Sequence, residues 1–156
     1  MRTIKVGLDH NKAAALAEEL NTLLANFQVY YQSLRGLHWN IKGRNFFELH
    51  SKFEELYVDT QDKVDIIAER ILTLQGRPLH TFSDYISMAS VPVVHDVSND
   101  VKGVTLVIAS LSILLEIERK ILELSAAADD EGTNGLMSDF ISEQEKTIWM
   151  MNAWLG

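Results

Sequence analysis

The chain contains no cysteine. That excludes a disulfide framework, a thiolate metal site and a cysteine nucleophile. Only two prolines and eight glycines interrupt 156 residues, so long unbroken elements are possible. No apolar run reaches the roughly 18 residues needed to span a bilayer. Nor does an extended apolar region follow the basic residues Arg2 and Lys5. We therefore expect no secretory signal, no membrane segment and a cytoplasmic protein. Positive charge is also scarce: 14 Lys and Arg stand against 22 Asp and Glu, for a formal net charge of −8. An acidic surface repels nucleic acid, so binding DNA would need a local basic patch. The same surface suits a protein that handles cations, although charge alone says little about function.

Apolar residues make up 47% of the chain, enough for one packed domain over residues 1–156. The apolar spacing is helical nearly throughout. Leu16, Leu20, Leu23, Phe27, Tyr30, Leu34 and Leu37 predict a first helix from about Asn11 to His38, capped by Asp9 or Asn11. Asn45 followed by Glu48 has the form of a capping box. It predicts a second helix from Asn45 to about Gln75, with the stripe Phe46, Leu49, Phe53, Leu56, Thr60, Val64, Ile67, Ile71 and Leu74. Gly76 and Pro78 stop it. An irregular crossover follows, with room for a short helix over Thr81 to Ala89. A third helix is expected from about Ser98 to Ala128, then an acidic turn, then a fourth helix capped by Thr133 or Asn134 and running to the C-terminus. Four long helices with one long crossover make an all-α four-helix bundle.

The stretch from His38-Trp39-Asn40 to His50 holds two of the five histidines and the first tryptophan. Downstream lie Glu54, Asp65 and Glu69. At about 100° per residue, these three acids fall about 40°, about 60° and about 100° from His50. The core stripe of the same helix centres at roughly −85° on that wheel. The four polar residues therefore share a face well away from the core. Length adds a constraint. His50 and Asp65 are separated by about 22 Å along a straight helix, whereas metal–ligand bonds are about 2 Å. If a metal sits here, a second, antiparallel copy must bring its Asp65 and Glu69 opposite His38 and His50 of the first. A two-fold axis then makes two equal sites, and Phe47, Ala68 and Leu72 on the same face would seal the interface. Imidazole plus carboxylate suits iron or zinc. The Glu-x-x-His pair of di-iron sites inside bundles occurs nowhere in the chain.

With these residues in view, the chain resembles the Dps family, the mini-ferritins that protect DNA during starvation. The similar stretches are His38-Trp39 through Gly43, Phe46 and His50, then Glu54-Glu55-Leu56-Tyr57, then Asp65-Ile66-Ile67-Ala68-Glu69-Arg70. They fit the family pattern H-W-x-x-x-G-x-x-F-x-x-x-H followed by D-x-x-A-E-R. Trp149-Met150-Met151 is similar to the family's last helix.

The resemblance implies a ferritin-like bundle with a short helix in the crossover and a homo-oligomeric shell of twelve copies. It also implies ferroxidase centres at two-fold interfaces. His38 and His50 of one subunit and Asp65 and Glu69 of its neighbour would be the metal ligands and catalytic residues, with Glu54 as an auxiliary acid. Trp39 beside the centre would be an electron donor or radical trap. The implied reaction oxidises ferrous iron, preferably with hydrogen peroxide, and stores ferric mineral inside; no organic cofactor is expected. Asp129, Asp130, Glu131 and Asp139 are candidates for an acidic iron-entry pore. Many members bind DNA through a lysine-rich extension, but here only Arg2, Lys5 and Lys12 precede or open the first helix, which counts against DNA binding. His10, His80 and His95 match no part of the pattern and read as structural or surface residues. The competing readings are a DNA-compacting shell with incidental metal binding and a plain helical interaction module.

Overall fold

The computed structural model describes all 156 residues. It contains five helices: α1 (His10–Asn40), α2 (Phe46–Thr73), α3 (Phe82–Met88), α4 (Asp100–Ala127) and α5 (Glu131–Leu155). α1 packs against α2 and α4, α4 against α5, and the short α3 lies on α1. This is the ferritin-like four-helix bundle, with α3 inside the crossover between the second and third long helices. No helix is long and apolar enough to cross a membrane.

The expected stripes supply the core. Leu20, Phe27, Leu34, Phe53, Ile67, Ile71, Leu114, Ile121, Met137 and Phe140 are all buried in one cluster. Full burial of each large side chain contributes about 1.5–3 kcal/mol. Phe27 meets Phe140 edge to face, at 6.1 Å between ring centres.

Helix ends differ from expectation in three places. α1 begins as predicted, with the Asp9 carboxylate accepting from Lys12 N at 2.9 Å. It does not stop at His38 but continues through Trp39 and Asn40, so His38 is firmly helical. At the start of α2, Asn45 makes no capping bond. Its side-chain amide instead donates to Asp100 Oδ2 at 2.8 Å, tying this end of α2 to the start of α4. The fourth long helix begins at Glu131, capped by Asp130 rather than by Thr133 or Asn134. Asp130 Oδ1 accepts from Thr133 N at 3.0 Å and from Arg70 at 2.6 Å. Arg70 Nε also donates to Thr133 Oγ1 at 2.9 Å. This clamp leaves no room beside Gly132, where a Cβ would lie 2.7 Å from the guanidinium.

The crossover is held by side-chain amides of α1, of which Asn26 is fully buried. Asn26 Oδ1 accepts from the main-chain N–H groups of Ser90 and Val91 at 2.8 and 3.0 Å. Asn21 accepts from Leu79 N at 2.8 Å and donates to Arg77 O at 3.0 Å. These bonds satisfy backbone groups that an irregular segment would otherwise bury unpaired.

Candidate metal centre

His38 lies in the last turn of α1 and His50 in the first turns of α2. The short connector, with Gly43 at φ 109°, folds α2 back so that the two imidazoles meet. His38 Nδ1 bonds the main-chain oxygen of His50 at 2.6 Å. His50 Nδ1 bonds the main-chain oxygen of His38 at 2.7 Å. The rings stack with centres 3.8 Å apart and planes 12° from parallel. Phe46 covers the other side of His50 at 4.9 Å, and Tyr57 stands edge-on to His38 at 5.4 Å.

A carbonyl oxygen only accepts, so each Nδ1 must carry the proton. In the neutral rings both Nε2 atoms then present lone pairs. Fixing the tautomer and orientation of a histidine through its other nitrogen is how metal-binding imidazoles are held. Here each histidine does this for the other.

The acids stand elsewhere. Glu54 is exposed one turn beyond His50, and its Oε1 accepts from the Tyr57 hydroxyl at 3.4 Å. Loss of solvent first, and then the Glu54 charge, push the Tyr57 hydroxyl above its ordinary pKa. Asp65 and Glu69 are exposed further along the unbroken α2, about 22 Å beyond His50 in the case of Asp65. Within one chain no group of three or more His, Cys, Asp and Glu residues is placed to hold a metal ion. The structure thus unites His38 and His50 and leaves Asp65 and Glu69 apart from them. Phe47 and Leu72, on the same face, are 83% and 59% exposed, and Ala68 is half-buried.

Trp39 is exposed, with the Arg35 guanidinium 4.8 Å from its ring centre. Among the acids proposed for a pore, Asp129, Glu131 and Asp139 are exposed. Asp130 departs from that expectation. It is 3% exposed, because capping α5 and pairing with Arg70 turn its carboxylate inward.

Sequence reasoning missed Phe46 and Tyr57 as walls of the histidine pair. The signal was present, since Phe46, His50 and Tyr57 are spaced by four and seven residues and so share one helical face.

A family model described as a ferritin-like domain matches residues 17–156. The chain is 43% identical over 151 residues to the DNA protection during starvation protein of Porphyromonas gingivalis, covering 95% of this chain and 93% of that one. Among solved structures, the Dps protein of Vibrio cholerae is described as a member of a superfamily of ferritin-like diiron-carboxylate proteins. It superimposes with a TM-score of 0.98 at 51% identity, covering 100% of this chain and 98% of that one. A Listeria innocua Dps carrying two histidine-to-glycine replacements twelve residues apart matches with a TM-score of 0.87 at 29% identity, over 90% of this chain and 94% of that one. His38 and His50 have the same spacing.

Proposed function

The chain belongs to the Dps family of the ferritin-like superfamily, and on that premise we propose that it is a ferroxidase and iron-storage protein. The observation that carries this reading is the reciprocal bonding of His38 and His50, which leaves two Nε2 lone pairs and no third ligand within the chain. Asp65 and Glu69 of a second, two-fold related copy complete the ligand set, with Glu54 as an auxiliary acid. Phe47 and Leu72 pack against that copy and keep water from the centre.

Ferrous iron is the substrate. Two neutral imidazoles and two carboxylates suit a divalent iron ion and leave positions open for an oxidant. Peroxide accepts two electrons, and two ferrous ions supply them together, so no hydroxyl radical is released. The ferric product enters a hollow shell, twelve copies in the family's architecture.

The names of the relatives keep a second reading in view, protection by binding DNA. The −8 charge opposes it, and Lys12, one of few N-terminal cations, is bound to Ala127 O at 2.7 Å. Gel retardation across a salt series tests it, because phosphate contacts weaken steeply with salt.

The ferroxidase test loads the protein anaerobically with ferrous iron and adds peroxide. Ferric absorbance is followed in the wild type and in a His38→Ala/His50→Ala double variant whose oligomer size is checked. Rapid oxidation lost in an intact variant assembly supports the centre. Equal rates in both proteins sink it.

A further inference from the structure

Resting on the ferroxidase reading, we infer that Tyr57 is the one-electron donor that protects the centre when only one ferrous ion occupies it. Peroxide needs two electrons, and one ferrous ion provides one. A second must come from the protein if no hydroxyl radical is to escape.

Three oxidisable rings lie near the histidine pair: Tyr57, Tyr31 and Trp39. Only Tyr57 touches a histidine, edge-on to His38 at 5.4 Å. Tyr31 lies one ring further out, 5.8 Å from Tyr57. Trp39, although next to His38 in sequence, makes no ring contact with it and lies exposed beside Arg35.

Charge separates the three as well. Oxidised tryptophan begins as a radical cation, and the Arg35 guanidinium 4.8 Å over the Trp39 ring opposes a second positive charge there. Oxidised tyrosine loses its proton and ends neutral, which requires a base at the hydroxyl. Tyr57 has one in Glu54 Oε1, at 3.4 Å. Tyr31 has no hydroxyl partner, and Arg35 sits 5.5 Å from its ring centre.

The step balances. One ferrous ion is oxidised to ferric. The Tyr57 phenol gives one electron through His38 and its proton to Glu54, becoming a neutral phenoxyl radical. Peroxide takes both electrons, the proton from Glu54 and one from solvent, its O–O bond breaks, and two waters form.

The test uses the intact oligomer, loaded anaerobically with half the ferrous iron that fills the centres. After a peroxide pulse and rapid freezing, organic radicals are read by electron paramagnetic resonance. The wild type should give a tyrosyl signal. It should fall about tenfold in Tyr57→Phe and persist in Tyr31→Phe and Trp39→Phe, with all three variants assembled to the wild-type oligomer size. An undiminished signal in Tyr57→Phe, or a tryptophanyl signal abolished by Trp39→Phe, would overturn the assignment. A wild type that oxidises iron rapidly yet shows no tyrosyl radical defeats this inference alone. A wild type that does not oxidise iron rapidly defeats the ferroxidase reading beneath it.

Discussion

Glu118 of α4 and Gln144 of α5 face each other inside the bundle, with Gln144 Nε2 donating to Glu118 Oε2 at 2.7 Å. The other oxygen of each, Glu118 Oε1 and Gln144 Oε1, is buried without a partner. A proton on Glu118 is the one donor this pair lacks. Burial pushes the Glu118 carboxyl up to about 8, against the opposing pull of Gln144, Lys63 and Arg119 and with a smaller push from Glu143. The folded state therefore binds a proton that the unfolded chain has already released. Stability falls as pH rises from the ordinary carboxylate range through about 8. The slope from this group approaches about 1.4 kcal/mol per pH unit. Thermal unfolding of the wild type and Glu118→Gln, at one protein concentration across that range, isolates the effect. The wild type should lose ground to the variant as pH rises, and a constant difference between them would contradict it.

The two halves of the proposed ligand set lie on different chains, which makes complementation a decisive test. A His38→Ala/His50→Ala chain and an Asp65→Ala/Glu69→Ala chain should each be inactive alone. Randomly mixed during assembly, half their two-fold interfaces are mixed, and each mixed interface rebuilds one of its two centres. Ferroxidation should return to about one quarter of the wild-type rate. A site within one chain predicts no recovery from mixing.

Arg70 and Asp130 anchor the α4–α5 turn from the side of α2, with Arg70 mostly shielded and Asp130 buried. Asp130→Ala removes a helix cap and strands a cation, and should cost about 2–4 kcal/mol. Asp129→Asn and Glu131→Gln, on exposed positions, should each change stability by less than about 0.5 kcal/mol. Denaturant titration of the three variants checks the contrast.

Asn26→Leu should loosen the crossover while sparing the bundle. It leaves the Ser90 and Val91 amides without the acceptor they share, at about 1–3 kcal/mol for each buried unpaired group. Hydrogen exchange at those two amides should accelerate far more than in the middle of α4, and equal acceleration in both places would mean a global rather than local effect.

The helices were legible because burial follows a 3.6-residue period on all four long elements. The histidine pair was legible as a pattern, but its geometry was not. The family resemblance put His38 and His50 in one ligand set, yet only the folded connector shows each ring bonded to the other's carbonyl. Polar groups inside the core were the hardest to read. Lys63 and Glu118 lie on the apolar stripes, three residues after Thr60 and four after Leu114, where hydrophobic residues are the rule. Lys63 is admitted because Asp59 and Glu143 meet its ammonium at 2.6 and 2.8 Å. Asp130 misled for a related reason. Within Asp129-Asp130-Glu131 nothing in the residue types tells a cap from its solvated neighbours, and Arg70, sixty residues earlier, makes the choice.

The unbroken run of α2 bears on how such a protein comes safely into being. On the proposed reading, the histidines and the acids are held apart by a stiff rod, and a newly made chain would have no complete centre with which to begin oxidising iron. Turnover would then start only when two chains meet, and at low abundance it would rise with the square of chain concentration. Half-built molecules would carry no reactive chemistry, and the rod would serve as an interlock between synthesis and catalysis.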